Sequence, residues 1–328
     1  MDPDIAKPVS DVVYHKNPLT NGPNTEEVTP LKRCLVQLMS KTFGQAYFGS
    51  KRIGISLDGP EYASRAVPGG TSQFNPGEAE EVAWLCKHML DYVPETTDEE
   101  PTRQVKPADI GISSPYAAQC AEIRRQLQRL AITGVTVQML DITTGSQVQG
   151  REFEVHIVSW VKNNPGDPYD TGFITNPGQQ CVLNSRARSF LISFGAYQLW
   201  CNNVANNIDQ IAKKQMFYRF AKNFQETNQV IAKRDFLDGK AGLPVDTYHF
   251  QAVQLTGPQT MGQRGNRGGR SGAYSVVRGA GRGRGGPQQG GFNTPNQRAH
   301  GGWDKRGGRG RGNNNPRGGT TGQPIPKW

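Results

Sequence analysis

The chain has 328 residues and a formal net charge of +10, but the charge is concentrated: residues 261–328 hold thirteen Lys or Arg against one acid, Asp304, so this segment is +12 and the 260 residues before it are near −2. Five scattered cysteines (Cys34, Cys86, Cys120, Cys181, Cys201), with no C-x-x-C pair, argue against a disulfide framework or a zinc site and fit a reducing compartment, cytoplasmic or nuclear. No apolar run reaches the roughly 20 residues a bilayer crossing needs, and MDPDIAKPVS lacks the pattern of a signal peptide, so no membrane partner is expected.

Up to residue 74 the pattern is irregular; from there the elements follow in order. In "NPGEAEEVAWLCKHMLDYV", Asn75 is a helix N-cap, Pro76 opens the helix and Glu78 completes a capping box. Val82, Cys86, Met89 and Val93 then recur at helical spacing and mark a buried face. "PETTDEEPTRQVKP" reads as a loop and "ADIGISS" as a short strand. Pro115 starts a second helix, with Cys120, Ile123, Leu127 and Leu130 inward and Arg124, Arg125 and Arg129 on a solvated face. "GVTVQMLDI" is a further strand. "FEVHIVSWV" and "SFLISF" are apolar nearly throughout, as strands covered on both faces of a parallel sheet are. In "NNIDQIAKKQMFYRFAKNF", Ile208, Ile211, Phe217, Phe220 and Phe224 lie at helical spacing. Alternating strands and helices predict an α/β fold, a parallel sheet with helices on both faces, whose ligands bind beyond the carboxyl ends of the strands.

Past about Gly239 the apolar periodicity fades. The expected division is a folded body over 1–238, a linker over 239–260 and a tail over 261–328. The tail holds 21 of the 40 glycines and repeats Arg-Gly-Gly from Arg267, Arg284, Arg306 and Arg317. Glycine at this density buries too little apolar surface to offset chain entropy, so the tail is expected to be disordered. Its arginines fork onto phosphate and stack on bases, and Tyr274, Phe292, Trp303 and Trp328 add stacking faces. Single-stranded RNA is the expected partner and DNA the alternative; a passive solubilising tail would have the same composition.

Three loops carry candidate chemistry. "GISSPYAAQ" (111–119) places Ser114, Tyr116 and Gln119 at a strand-to-helix turn, which by itself could be ordinary helix-start chemistry. In "SQVQGREFEV", Gln149, Gly150, Arg151 and Glu152 precede a buried strand; Gly150 would let the backbone approach a ligand, or simply make a tight turn. In "CVLNSRARSFLISF", Arg186 and Arg188 sit immediately before another buried strand.

Taken together, these loops resemble the second RecA-like domain of superfamily 1 helicases, in the branch of the nonsense-mediated decay helicase and senataxin. That family has G-I-x-(T/S)-P-Y-x-x-Q, then Q-G-x-E, then T-R-A-(K/R); here they stand as Gly111 to Gln119, Gln149 to Glu152 and Ser185 to Arg188. "GGTSQFNPGEAEEV" is similar to the family's serine–asparagine–glutamate lead-in. "MDPDIAKPVSDVVYH" is similar to its Y-R-M-H-P opening, with Asp2 for the histidine and the tyrosine and arginine falling upstream of Met1. The likeness covers roughly residues 1–235.

The resemblance implies that ATP and Mg2+ lie between this domain and a first RecA-like domain absent from this chain. Arg186 would be the arginine finger, the catalytic residue of this half. Glu152, Gly150 and Arg188 would lie at the nucleotide, with Glu152 receiving the ribose or orienting the finger. Ser114, Tyr116, Gln119 and Gln149 would lie along the nucleic acid. No G-x-x-x-x-G-K-(S/T) segment and no magnesium carboxylate motif occur in the sequence, and no metal ligand is assigned to it. Ser146 and Cys181 replace an aspartate and an asparagine common in the family. The chain therefore reads as the C-terminal half of a helicase, inactive alone, its remainder lost upstream or supplied by another chain. The alternatives are a non-catalytic RNA-binding protein on a decayed helicase domain and, less in keeping with three ordered motifs, an unrelated α/β nucleotide-binding protein.

Overall fold

The computed structural model describes residues 1–242 apart from Asn24, Ala131, Thr133, Pro165, Pro168, Tyr169 and residues 205–214. The Arg-Gly-Gly tail, with Arg267, Arg284, Arg306 and Arg317, lies outside the described residues, as do Ile208 and Ile211. In chain order the helices are α1 (Pro3–Val13), α2 (Pro30–Phe43), α3 (Pro76–Asp91), α4 (Ala117–Leu130), α5 (Pro177–Asn184), α6 (Tyr197–Val204), α7 (Gln215–Glu226) and α8 (Lys233–Ala241). The strands are β1 (Arg52–Ser56), β2 (Arg65–Ala66), β3 (Gln73–Phe74), β4 (Ile110–Ser114), β5 (Asp141–Thr144), β6 (Phe153–Ser159), β7 (Ala187–Gly195) and β8 (Val230–Ile231).

Six strands form one sheet in the order β5-β4-β6-β7-β1-β8, parallel throughout. The remaining two, β2 and β3, pair as a small antiparallel hairpin. This is the expected α/β, RecA-like arrangement. β6 and β7 lie at its centre and are buried on both faces, hence their nearly unbroken apolar sequence.

Alternation along the strands sorts the core into two layers. Ile110, Ile112, Val155, Ile157, Phe190, Ile192 and Phe194 pack with α2, α3, α4 and α8 on one face. Val158 and Leu191 pack with α1, α5, α6 and α7 on the other. Phe153 breaks the parity. A register shift between Phe153 and Val155 turns it to the second face, where its ring covers Gly111: a Cβ there would fall 2.3 Å from the ring.

Four local expectations are corrected. The helix from Pro76 ends at Asp91, so Val93 lies beyond it and is exposed. The capping box is half made: Asn75 Oδ1 accepts from Glu78 N at 3.0 Å, but Asn75 N donates to Gln119 Oε1 rather than to Glu78. The segment 134–142 is mostly not strand; Val137–Met139 form a 3-10 turn and β5 begins at Asp141. The irregular first 74 residues hold α1, α2 and β1. α1 and α2 each have an N-cap that the sequence displays, Asp2 before Pro3 and Thr29 before Pro30.

Candidate functional site

In a parallel sheet, residues before a strand and residues after one lie at opposite ends. The first loop follows β4 and sits at the carboxyl edge. Gln149–Glu152 and Arg186 precede β6 and β7 and therefore sit at the amino edge. At 3.3 Å per residue the two groups are roughly 20 Å apart. Of the three candidate loops, the first alone lies at the carboxyl edge.

At the amino edge the arginines differ in their company. Arg188 is exposed and pairs with Glu152, Nε to Oε2 at 2.9 Å, with Glu154 at 3.9 Å. Such an exposed pair contributes under about 1 kcal/mol, so its effect is to fix position rather than to hold the fold. Glu152 is held below its usual carboxylate range by the Arg188 hydrogen bond first, then by the charges of Arg188, Arg186 and the amino terminus. It thus orients Arg188; Arg186 is held otherwise. The half-buried Arg186 guanidinium donates to the Val182 carbonyl at 3.1 Å, the Arg151 carbonyl at 3.3 Å and Ser185 Oγ at 2.7 Å. Among the described residues it has no carboxylate partner. The Val182 carbonyl belongs to the last turn of α5, where a cation is favoured by the helix dipole.

The amino terminus supports this edge. Asp2 N donates to the Arg188 carbonyl at 2.7 Å, and Asp2 Oδ1 accepts from Asp4 N, starting α1. Asp2 also pairs with Lys32 at 2.8 Å, both side chains being buried. Lys32, which the sequence reading missed, donates further to the carbonyls of Thr25 and Glu27. Gly150 has φ +82° with open space where a Cβ would stand, and Gln149 beside it is exposed. Arg151 pairs with Asp141 at the start of β5. Cys181 Sγ lies 3.8 Å from Tyr14 Oη, and Ser146 Oγ lies 3.1 Å from Thr144 Oγ1.

At the carboxyl edge Ser114 and Gln119 are fully buried and present no side chain to solvent. Ser114 Oγ accepts from Tyr116 N at 3.2 Å. Gln119 bonds to both backbone groups of Asn75 and to Ser159 Oγ, fastening α4 to α3 and β6. Tyr116 is nearly buried, and its hydroxyl accepts from Phe173 N at 3.1 Å.

Here too lies a group whose burial no sequence signal reveals. Val161 has φ +74°, rare for a β-branched residue. Its N–H donates to Glu78 Oε1 at 3.0 Å and its carbonyl accepts from Asn75 Nδ2 at 3.1 Å. Glu78 also accepts from Ser159 Oγ at 2.5 Å. Burial pushes the Glu78 carboxyl up to about 7, against the lowering effect of these donors. With the folded value raised, the stability this group contributes is complete below about pH 4.5 and is lost as pH rises through about 7. Glu78→Gln should therefore flatten the pH dependence of unfolding free energy across that window, by up to about 3 kcal/mol. Denaturant titrations of both proteins at several pH values check this, and parallel curves would refute it.

Among the described residues no three His, Cys, Asp or Glu side chains gather as a metal-ligand set, and no helix is long and apolar enough to cross a membrane.

A family model described as "AAA domain" matches residues 1–198. RNA helicase Mov10l1 of Homo sapiens is 32% identical over 130 residues, 38% of this chain and 10% of that protein. The 3'-5' exoribonuclease HELZ2 of Mus musculus is 30% identical over 171 residues, 49% of this chain and 5% of that protein. The regulator of nonsense transcripts 1 homolog of Drosophila melanogaster is 27% identical over 183 residues, 56% of this chain and 13% of that protein. The chain thus spans a small fraction of the length of each of these relatives.

Proposed function

The chain belongs to the AAA domain family, in the superfamily 1 helicase branch of the nonsense-mediated decay helicase and senataxin, and from that premise we propose that it is the second RecA-like domain of an ATP-dependent RNA helicase. In this reading the amino edge of the sheet faces ATP. Arg186 is the finger that neutralises charge developing on the γ-phosphate, with Arg188, Glu152 and Gly150 beside it. The phosphate-binding loop and the Mg2+ carboxylates belong to a first RecA-like domain outside this chain. The strand runs along the other edge past Tyr116, while Ser114 and Gln119 act from beneath by holding the turn. Gln149, which stands with Gly150 near the nucleotide side, is the exposed one of the four. The body is residues 1–238, the linker 239–260 and the tail 261–328, whose Arg-Gly-Gly repeats at Arg267, Arg284, Arg306 and Arg317 bind RNA.

One observation carries the catalytic part. Of two arginines a residue apart, Arg188 is ion-paired with Glu152 while Arg186 is pinned by three neutral acceptors. A guanidinium oriented in this way, with no direct salt bridge among the described residues, suits an incoming phosphate.

The test is ATP hydrolysis by the purified chain with and without single-stranded RNA. No turnover above buffer is expected, because no lysine-bearing phosphate loop is in the sequence. Turnover that vanishes in Arg186→Ala would mean that the chain holds a complete site and would overturn the division of labour. The second reading, a non-catalytic RNA-binding protein, draws on Ser146 and Cys181. It requires that supplying a first domain restore nothing.

A further inference from the structure

The loop between β6 and α5 carries an aromatic ring at the carboxyl edge of the sheet. Phe173 is 49% exposed. A lone exposed ring is ordinary on a protein surface, but this one is held from both sides. Its amide donates to Tyr116 Oη. The residue before it, Gly172, has φ +49°, and a Cβ there would come within 2.8 Å of Lys162 Cε and 3.0 Å of Tyr116 Oη. The residue after it, Ile174, is fully buried, and its carbonyl accepts from Gln180 Nε2 at 2.5 Å. The Phe173 and Tyr116 rings meet at 62° with centroids 6.5 Å apart, so Tyr116 does not cover Phe173 as a parallel stack would.

A second observation comes from the β2–β3 hairpin at the same edge. The Arg65 side chain is exposed and, among the described residues, has neither a carboxylate nor a hydrogen-bond partner. Its neighbour Ser64 donates its amide to the Asn163 carbonyl at 3.0 Å, next to Lys162, whose stem packs beneath Gly172. Lys162 is already committed: its ammonium is buried on Asp170 at 2.7 Å. Arg65 is therefore the cation left to meet an anion at this hairpin.

We infer that Phe173 is a stacking face for an unstacked base of single-stranded nucleic acid, with Arg65 neutralising a phosphate of the same strand. This rests on the proposed path of the strand along the carboxyl edge. Stacking accepts any base, because every base has a π face, and so adds affinity without sequence preference.

The experiment uses the full chain, oligouridylate and an abasic ribose-phosphate oligomer of equal length. Phe173→Ala should weaken oligouridylate binding by about tenfold, from the loss of one stacked base, and leave the abasic oligomer almost unaffected. Phe173→Tyr should retain the wild-type preference for bases. Arg65→Ala should weaken both oligomers alike and reduce the salt slope by about 0.7. An unchanged preference in Phe173→Ala, or equal loss on both oligomers, overturns the inference. Cross-linking of 4-thiouridine RNA to the wild-type chain separates this from failure of the underlying reading. Cross-links at Tyr116 or Arg65 with no effect of Phe173→Ala would retain the strand path and reject the stacking role. Cross-links confined to the tail would reject the path, and the stacking role with it.

Discussion

Removing residues 256–328 should leave a folded body that binds single-stranded RNA far more weakly and with little salt dependence. The tail's charge is +12 and that of residues 1–260 is near −2, so the chain's excess positive charge lies beyond the body. If about six tail cations engage phosphates, log K falls against log salt with a slope near −4, at about 0.7 per neutralised charge on a single strand. Between 50 and 200 mM salt the full chain should then lose roughly two orders of magnitude in affinity. Base stacking by Tyr274, Phe292, Trp303 and Trp328 would add affinity but not slope. Salt titrations of both proteins on one RNA, with a DNA oligomer of matching sequence in parallel, measure this. Equal slopes would assign the binding to the folded body and leave the tail a passive solubilising segment.

The sheet's centre was legible because burial on both faces leaves a plain mark: β6 and β7 are apolar almost without interruption. β1 was not, although it lies between β7 and β8. It is five residues long, begins with the buried Arg52 and contains Gly54, so no apolar run announces it. Arg52 is accommodated by neutral acceptors, Gln229 Oε1 at 2.8 Å and Asn223 Oδ1 at 2.5 Å, and by the Phe224 ring 3.9 Å away. These partners lie some 170 residues further along the chain.

The motifs themselves were readable from residue type and order, but their division between two edges follows only from strand direction. A motif that precedes its strand cannot share an edge with one that follows. The same distance in sequence hid the true partners of the polar groups. Glu78 is spaced for a capping box, and the helix start it would complete is real, yet its carboxylate serves Val161 and Ser159, more than eighty residues on. Glu152 is placed to orient either arginine, and only the pairing of β6 with β7 selects Arg188.

The most direct test concerns Arg186. A first RecA-like domain bearing the phosphate-binding loop would be joined upstream of Met1, and single-turnover ATP hydrolysis measured with saturating single-stranded RNA. Arg186→Ala should lower the rate by at least about 10³, the scale of a finger that stabilises charge on the transferring phosphoryl group. Arg186→Lys should recover little, since a point charge does not reproduce the planar fork. Arg188→Ala, which removes exposed ion pairs with Glu152 and Glu154, should cost far less. Because Arg186 is bonded to the backbone at Val182 and Arg151, the melting temperature and RNA affinity of each variant must be read alongside; both are expected to stay close to wild type. Loss of hydrolysis with folding and RNA binding intact is the expected result. A wild-type rate in Arg186→Ala would contradict it.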